Sequence, residues 1–333
     1  MSRPQLIVIT PVRNEAWVLE AFLTHCSSWA DRIIVADQHS TDGSREIAMR
    51  FPKVTLVDNP TDEWVEWRCR ARLLEEAAKV PGDKIVFALD ADEFLSAGFA
   101  HTDGWRRIME SMPNEVFCFR WLNMYGDLRH GEVGEFQAEW AAHLGQDVDL
   151  QGEYVKREGN SVHCSRVPCL EESRCRYTTI DDVRFVHLGG LNRGRTRNKL
   201  DFYSVVNIDK NAKKANPIAL YRAYAGQLAH TAPEMPSVVR LEAAGGDDVS
   251  PLLRTADRGQ HYVDEMAAIM RREGCRKFRW LCIWDNTDLW ASGISYRPPL
   301  HVRLVHYYLR RTQPCAGRPY IRLIDKLLKQ IVG

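Results

Sequence analysis

Residues 88 to 96 read Ala-Leu-Asp-Ala-Asp-Glu-Phe-Leu-Ser, so three carboxylates, Asp90, Asp92 and Glu93, fall within four residues at the end of an apolar run. Carboxylates this close repel one another and are costly to take out of water, so they call for a cation, a ring of hydrogen bonds, or solvent. A hard divalent ion would fit. Mg2+ or Mn2+ takes oxygen ligands, usually one or two carboxylates, and fills its shell with water and phosphate oxygens. In an extended Asp-Ala-Asp the side chains alternate faces, which lets Asp90 and Asp92 point the same way past the small Ala91. The ion would act as a Lewis acid on a departing phosphate. The other reading of the same residues is a solvated acidic junction between strand and loop.

The elements that must hold these carboxylates are visible upstream. Leu6–Thr10, Arg32–Asp37, Val54–Asp58 and Lys84–Asp90 read as strands. Helical segments alternate with them at Glu15–Ser28, after the Ser40–Ser44 turn, and at Glu63–Lys79. That alternation predicts a mostly parallel sheet covered by helices. In such a sheet ligands bind beyond the carboxyl ends of the strands. The polar residues sit at those ends: Thr10 to Glu15 after the first strand, Asp37 to Gly43 after the second, and the acidic cluster after the fourth. Further on, 115–125 alternates as a strand, 126–180 is polar with weak signals, and 183–190 is a strand ending in Gly189-Gly190. A basic helical segment follows at once, and 217–230 and 257–273 also read as helices.

Taken in order, T-P-V-R-N-E (10–15), D-Q-H-S-T-D-G-S (37–44) and F-A-L-D-A-D-E (87–93) resemble glycosyltransferase family 2, inverting enzymes of the GT-A fold. The likeness covers about the first 125 residues. Within the family it is most similar to the D-A-D-E branch of lipopolysaccharide-core type, where a strand ending in His precedes a basic helix with Lys and Tyr, here V-R-F-V-H-L-G-G and R-T-R-N-K-L-D-F-Y-S. The resemblance implies an α/β, Rossmann-like GT-A domain over 1–210 and a helical, basic region over 211–333. It implies a nucleotide-diphospho-sugar donor, a UDP-sugar first among them, with Mn2+ or Mg2+. Carried onto this chain, Thr10, Pro11, Arg13 and Glu15 would line the nucleotide pocket and Asp37 would contact the base. Arg70 falls near the family's arginine, although C-R-A-R-L-L lacks the usual Asn and Arg68 is an alternative. Asp90 and Ala91 would lie on the ribose side, and Asp90, Asp92 and His187 would hold the metal.

His187 could equally be a satisfied core histidine. Arg195 and Lys199, in the helix start after Gly190, are candidates to clamp the leaving diphosphate. An inverting transfer needs a general base for the acceptor hydroxyl. No clean Glu-Asp pair is present, and the choices are Glu171, Glu172, Asp181 and Asp182, with Glu171 leading and Glu93 a further catalytic candidate. No G-x-G-x-x-G follows the first strand and no P-loop occurs, which disfavours dinucleotide and P-loop functions. A nucleotidyltransferase would want a Gly-rich, Lys-bearing first loop that is lacking. A non-catalytic nucleotide-sugar or glycan-binding scaffold of the same fold is the alternative.

The nine cysteines are an odd number spread over 333 residues, which argues against a disulfide framework. The crowd of His163, Cys164, Cys169 and Cys175 has no C-x2-C knuckle and so makes a poor zinc motif. The net charge of +1 conceals +9 from Arg271 onward and −8 before it. Arginine interleaves with Trp, Tyr and Leu in that tail, which suits an anionic membrane surface or a nucleic acid. The acceptor would then be a glycan, a lipid-linked glycan or a hydroxylated DNA base. No apolar run is long enough to span a bilayer and the start lacks a secretory pattern, so the expected location is cytoplasmic, with any membrane contact peripheral.

Overall fold

Strand β1 (Gln5–Val12) and strand β4 (Lys84–Ala88) carry almost unbroken apolar runs because both faces of the sheet are covered. The computed structural model describes residues 3–59, 66–145, 166, 175–210, 215–229 and 232–332. The other strands are β2 (Arg32–Asp37), β3 (Val54–Asp58), β5 (Glu93–Leu95), β6 (Glu115–Tyr125), β7 (Gly131–His143) and β8 (Arg176–Gly190). They form one sheet of eight strands in the order β3-β2-β1-β4-β7-β6-β8-β5. Four of its seven pairings are parallel, and β7 runs antiparallel between β4 and β6. This is the α/β architecture of the GT-A fold.

Helices α1 (Leu19–Ser27), α2 (Ser44–Met49) and α4 (Asp103–Met109) belong to the core layer with Trp17, Phe22, Phe87, Trp105 and Phe185. Helix α3 (Glu66–Ala78) covers the opposite layer through Cys69, Leu73, Leu74 and Ala77, against Ile7, Ile9 and Val86. His25, on α1, pins the edge strand that follows the acidic motif. Its Nδ1 donates to the Glu242 carbonyl at 2.7 Å, and its Nε2 accepts from the Leu95 amide at 3.2 Å. Complete burial keeps the ring neutral and pushes its pKa down to about 4, which the carbonyl contact only partly opposes.

Two features differ from the sequence reading. Strand β4 stops at Ala88, and Asp90 to Glu93 form a turn. The Glu93 amide donates to the Asp90 carbonyl at 3.1 Å while the Asp90 amide donates to Glu93 Oε2 at 3.0 Å. A side chain that bonds the backbone three residues earlier outcompetes further extension, so the alternation of faces does not govern Asp90 and Asp92. Strand β7 forms where the signal was weak, because its place between β4 and β6 supplies partners on both edges.

The chain divides into two units. The first, Met1–Leu191 with Ala232–Thr255, holds the sheet; the second, Asn192–Thr231 with Ala256–Gly333, is helical. The second has its own core around Phe202, Val205, Tyr262, Met266, Phe278 and Leu289. Among the described residues no helix is long and apolar enough to cross a membrane.

Candidate active site

The carboxyl ends of β1, β2, β3 and β4 open on one edge of the sheet, since these strands are mutually parallel. The first two strand-end loops latch together. Asn14 Oδ1 accepts from the Thr41 amide at 2.7 Å, and the amides of Asn14, Glu15 and Ala16 donate to Ser40 Oγ, Ser44 Oγ and Asp42 Oδ2, each at 2.9 Å. Asn14 takes a left-handed φ of 55° to make this latch, a conformation that Asn tolerates better than most residues. Glu15 Oε2 accepts from Trp17 Nε1 at 2.6 Å, and Arg13 is half-buried in the same loop. Thr10 and Pro11 lie opposite Val35 and Ala36 at the end of β1.

Three buried polar atoms here lack a hydrogen-bond partner among the described residues: Thr10 Oγ1, Asp37 Oδ1 and Asn59 Nδ2. Asp37 is only 3 % exposed, and its Oδ2 is 3.5 Å from Arg45, which binds Asp58 at 2.6 Å. The Asn59 amide donates to the Asp37 carbonyl at 2.9 Å, so the two residues are neighbours. Buried polar atoms are nearly always paired in folded proteins, so a cluster left unsatisfied at strand ends is what a ligand pocket leaves behind. Asn59 was not a sequence candidate. Its one signal is its position directly after the third strand.

The acidic turn is the reverse case. Fully buried Arg70 donates from Nη2 to Asp90 Oδ1 at 2.6 Å. Arg166 donates to the other Asp90 oxygen at 2.8 Å and to Glu93 Oε2 at 2.7 Å. Glu93 is itself fully buried and also accepts from Trp121 Nε1 at 2.8 Å and Trp140 Nε1 at 3.1 Å. Both indoles lie near the Arg166 guanidinium, 5.5 and 5.1 Å from it. Burial pushes the Glu93 carboxyl up, against the opposing pull of Arg166. Two carboxylates and two guanidiniums thus neutralise one another. Arg68 is not needed for this contact, and Arg166 escaped the sequence reading because nothing in 126–180 gave it a register.

That leaves Asp92, which follows the buried Ala91. Glu93 on β5 pairs with His187 on β8, and the Leu188 amide donates to the Asp92 carbonyl at 2.9 Å. These contacts bring His187 Nε2 to 3.7 Å from Asp92 Oδ2. His187 stacks on Trp121 with ring centroids 5.1 Å apart, and its Nδ1 is 2.9 Å from Asn123 Oδ1. The Asn123 oxygen can only accept, so Nδ1 carries the hydrogen and the Nε2 lone pair faces Asp92, given that amide orientation. Gly189 borders the gap. A Cβ there would lie 2.7 Å from His187 Nε2 and 3.5 Å from Asp92 Oδ2.

The residues present fit a divalent ion held by two protein ligands, one carboxylate and one imidazole, with phosphate oxygens completing the shell. Asp90, the third expected ligand, has both oxygens on guanidiniums. Among the described residues no group of three or more His, Cys, Asp or Glu is arranged to hold a metal.

Of the remaining candidates, Glu171, His163, Cys164 and Cys169 lie outside the described residues. Asp182 accepts from the Gly104 amide at 2.9 Å in the first turn of α4, five residues along β8 from His187. At roughly 3.3 Å per residue that is about 16 Å away. Arg195 and Lys199 belong to the second unit, in the helix Arg193–Lys210. Arg195 is buried there, 3.0 Å from Asp257 and stacked over Tyr262, and the Lys199 ammonium lies 6.0 Å from the Tyr203 ring.

Among solved structures, the chain is similar to 4-diphosphocytidyl-2C-methyl-D-erythritol synthase, at 15 % identity over 54 % of this chain and 90 % of that one, with a TM-score of 0.37. It is also similar to HddC from Yersinia pseudotuberculosis, at 11 % identity over 56 % and 94 %, TM-score 0.31. The inositol-1-phosphate CTP transferase from T. maritima matches at 9 % identity over 55 % and 89 %, TM-score 0.32. Likeness this distant carries no argument about the reaction. No curated protein matches the chain. Residues 7–115, which hold most of β1, all of β2 to β4, the latched loops and the acidic turn, match the family model of glycosyl transferase family 2, the family that the three motifs resemble.

Proposed function

We propose that the protein is a metal-dependent, inverting glycosyltransferase that moves a sugar, most simply a hexose, from a nucleotide-diphospho-sugar to an acceptor hydroxyl. The observation that carries the reading is the pairing of Asp92 with the Nε2 face of His187 across the Gly189 gap, inside a unit whose residues 7–115 carry the family match. Thr10, Asp37 and Asn59 offer buried, unpaired polar atoms to the nucleotide, with Asp37 accepting from a base N–H as a uracil would present it. Arg13 and Glu15 would border the nucleotide, and Arg70 would hold Asp90 on the ribose side.

Asp92 and His187 would hold Mn2+ or Mg2+, which supplies neutralising charge for the leaving diphosphate. Glu93, with every carboxylate oxygen occupied, orients the turn that presents Asp92. In the transfer, the acceptor oxygen bonds to the anomeric carbon as the bond from that carbon to the diphosphate oxygen breaks. The hydroxyl proton passes to a carboxylate base, for which Glu171 is the proposed residue. A glycan or lipid-linked glycan is the favoured acceptor and UDP the favoured nucleotide, with the enzyme at work in the cytoplasm.

Donor hydrolysis with Mn2+ and with chelator, on wild type and on Asp92→Ala, tests the proposal. Wild type should turn over a nucleotide sugar only with metal, and Asp92→Ala should lose about a thousandfold or more, an effect of about 4 kcal/mol on the barrier. Absence of metal-dependent turnover for every nucleotide sugar tried would leave the scaffold reading.

A further inference from the structure

Among the described residues fourteen large hydrophobic side chains are exposed, and eight of them fall on two helices of the second unit. On the helix Leu300–Thr312 they are Leu300, Leu304 and Tyr307, spaced four and three apart on one outer face, with Arg303 and Arg311 on that same face. On the helix Pro319–Val332 they are Tyr320, Leu323, Ile324, Leu327 and Ile331, again one stripe. Arg322, Lys326 and Lys329 lie on the opposite flank of that helix.

Charge says what would cover such a stripe. From Leu300 to Val332 there are seven Lys or Arg and one acid, Asp325. That acid is spent internally. Its carboxylate accepts from Arg222 at 2.8 and 3.0 Å and from the Tyr308 hydroxyl at 3.0 Å, and with Ile321 it forms the buried face of its helix.

We infer that these two helices dock the protein on an anionic membrane surface, the leucine and isoleucine stripe lying under the headgroups and the lysines and arginines among them. A helix with an apolar stripe, a basic opposite face and little net hydrophobicity lies in the interface in this manner. A second copy of the chain seated on the stripe would bring Arg303 and Arg311 of both copies together and leave Arg322, Lys326 and Lys329 without an anionic partner. A nucleic acid would ask for aromatic platforms, whereas the stripe is mainly Leu and Ile. The docking holds whether or not the first unit transfers a sugar.

Co-sedimentation of the full chain decides it, with vesicles of phosphatidylcholine alone and of phosphatidylcholine mixed with phosphatidylglycerol. Wild type should pellet with the mixed vesicles only and be released by high salt. Changing Arg322, Lys326 and Lys329 together to Gln should weaken binding roughly a hundredfold. Leu323→Ser, Leu327→Ser and Ile331→Ser combined should weaken it at least as much, roughly a hundredfold. Equal pelleting with both vesicle types, none with the anionic ones, or wild-type pelleting by both variants would overturn the inference. So would tighter binding to single-stranded DNA that the triple serine variant retains. Should that variant lose helix by circular dichroism, the wild-type comparison alone still decides.

Discussion

The acidic turn at Asp90–Glu93 and the strand ends at Asp37 and Asn59 are opposites in one sheet. In the turn, Asp90 and Glu93 receive six donors from two arginines, two tryptophans and the Asp90 amide, so all four carboxylate oxygens are occupied. At the strand ends, Thr10, Asp37 and Asn59 each bury a polar atom with no partner among the described residues. The first region therefore balances its own charge, and its product is the placement of Asp92. The second keeps an unsatisfied desolvation cost that a ligand would relieve. Carboxylates crowded in sequence are thus poor guides to role, and whether their oxygens are already occupied is a better one.

If the turn is scaffold, Glu93→Ala should cost about 3–5 kcal/mol of stability, because it leaves Arg166 and two indole donors without their acceptor. Urea denaturation measures this. A loss below about 1 kcal/mol would mean that the hub does not hold the turn. His25 holds the Leu95 amide two residues past Glu93, and its folded pKa of about 4 lies below its ordinary 6.5. The neutral ring is the one the fold accepts, so this contribution is complete above pH 6.5 and lost as pH falls from 6.5 towards 4. At about 1.4 kcal/mol per unit the loss approaches about 3 kcal/mol. Urea midpoints of wild type against His25→Gln across that window should converge towards low pH. At the strand ends the smallest change is expected. Asp37→Asn should leave stability unchanged or raise it by about 1 kcal/mol, while weakening donor binding roughly tenfold or more. Calorimetric titration with a nucleotide sugar checks the second part, and a stability loss above about 1 kcal/mol would contradict the contrast between the regions.

The sequence made the parallel half of the sheet legible, since β1 to β4 are continuous apolar runs closed by polar ends. It also placed Asp37 at the end of β2 and Arg70 on the helix before β4. What it could not carry was pairing. Strand β7 has no apolar alternation of its own and is a strand because β4 and β6 flank it. Arg166 sits among residues with no periodic signal, and Asn59 is an ordinary amide until its burial is seen. The stripe at Tyr320–Ile331 shows only once its exposure is seen, and pairing with Arg222 occupies the one acid of that helix, Asp325.

The central claim is that Asp92 and His187 couple metal to nucleotide-sugar binding. The most direct measurement is the melting temperature with UDP-sugar, with Mn2+, and with both, for wild type and Asp92→Ala. A shift with both that exceeds the sum of the separate shifts in wild type, and is absent in Asp92→Ala, is the predicted result. Equal shifts in the two proteins, or no added shift from Mn2+ in wild type, would contradict it.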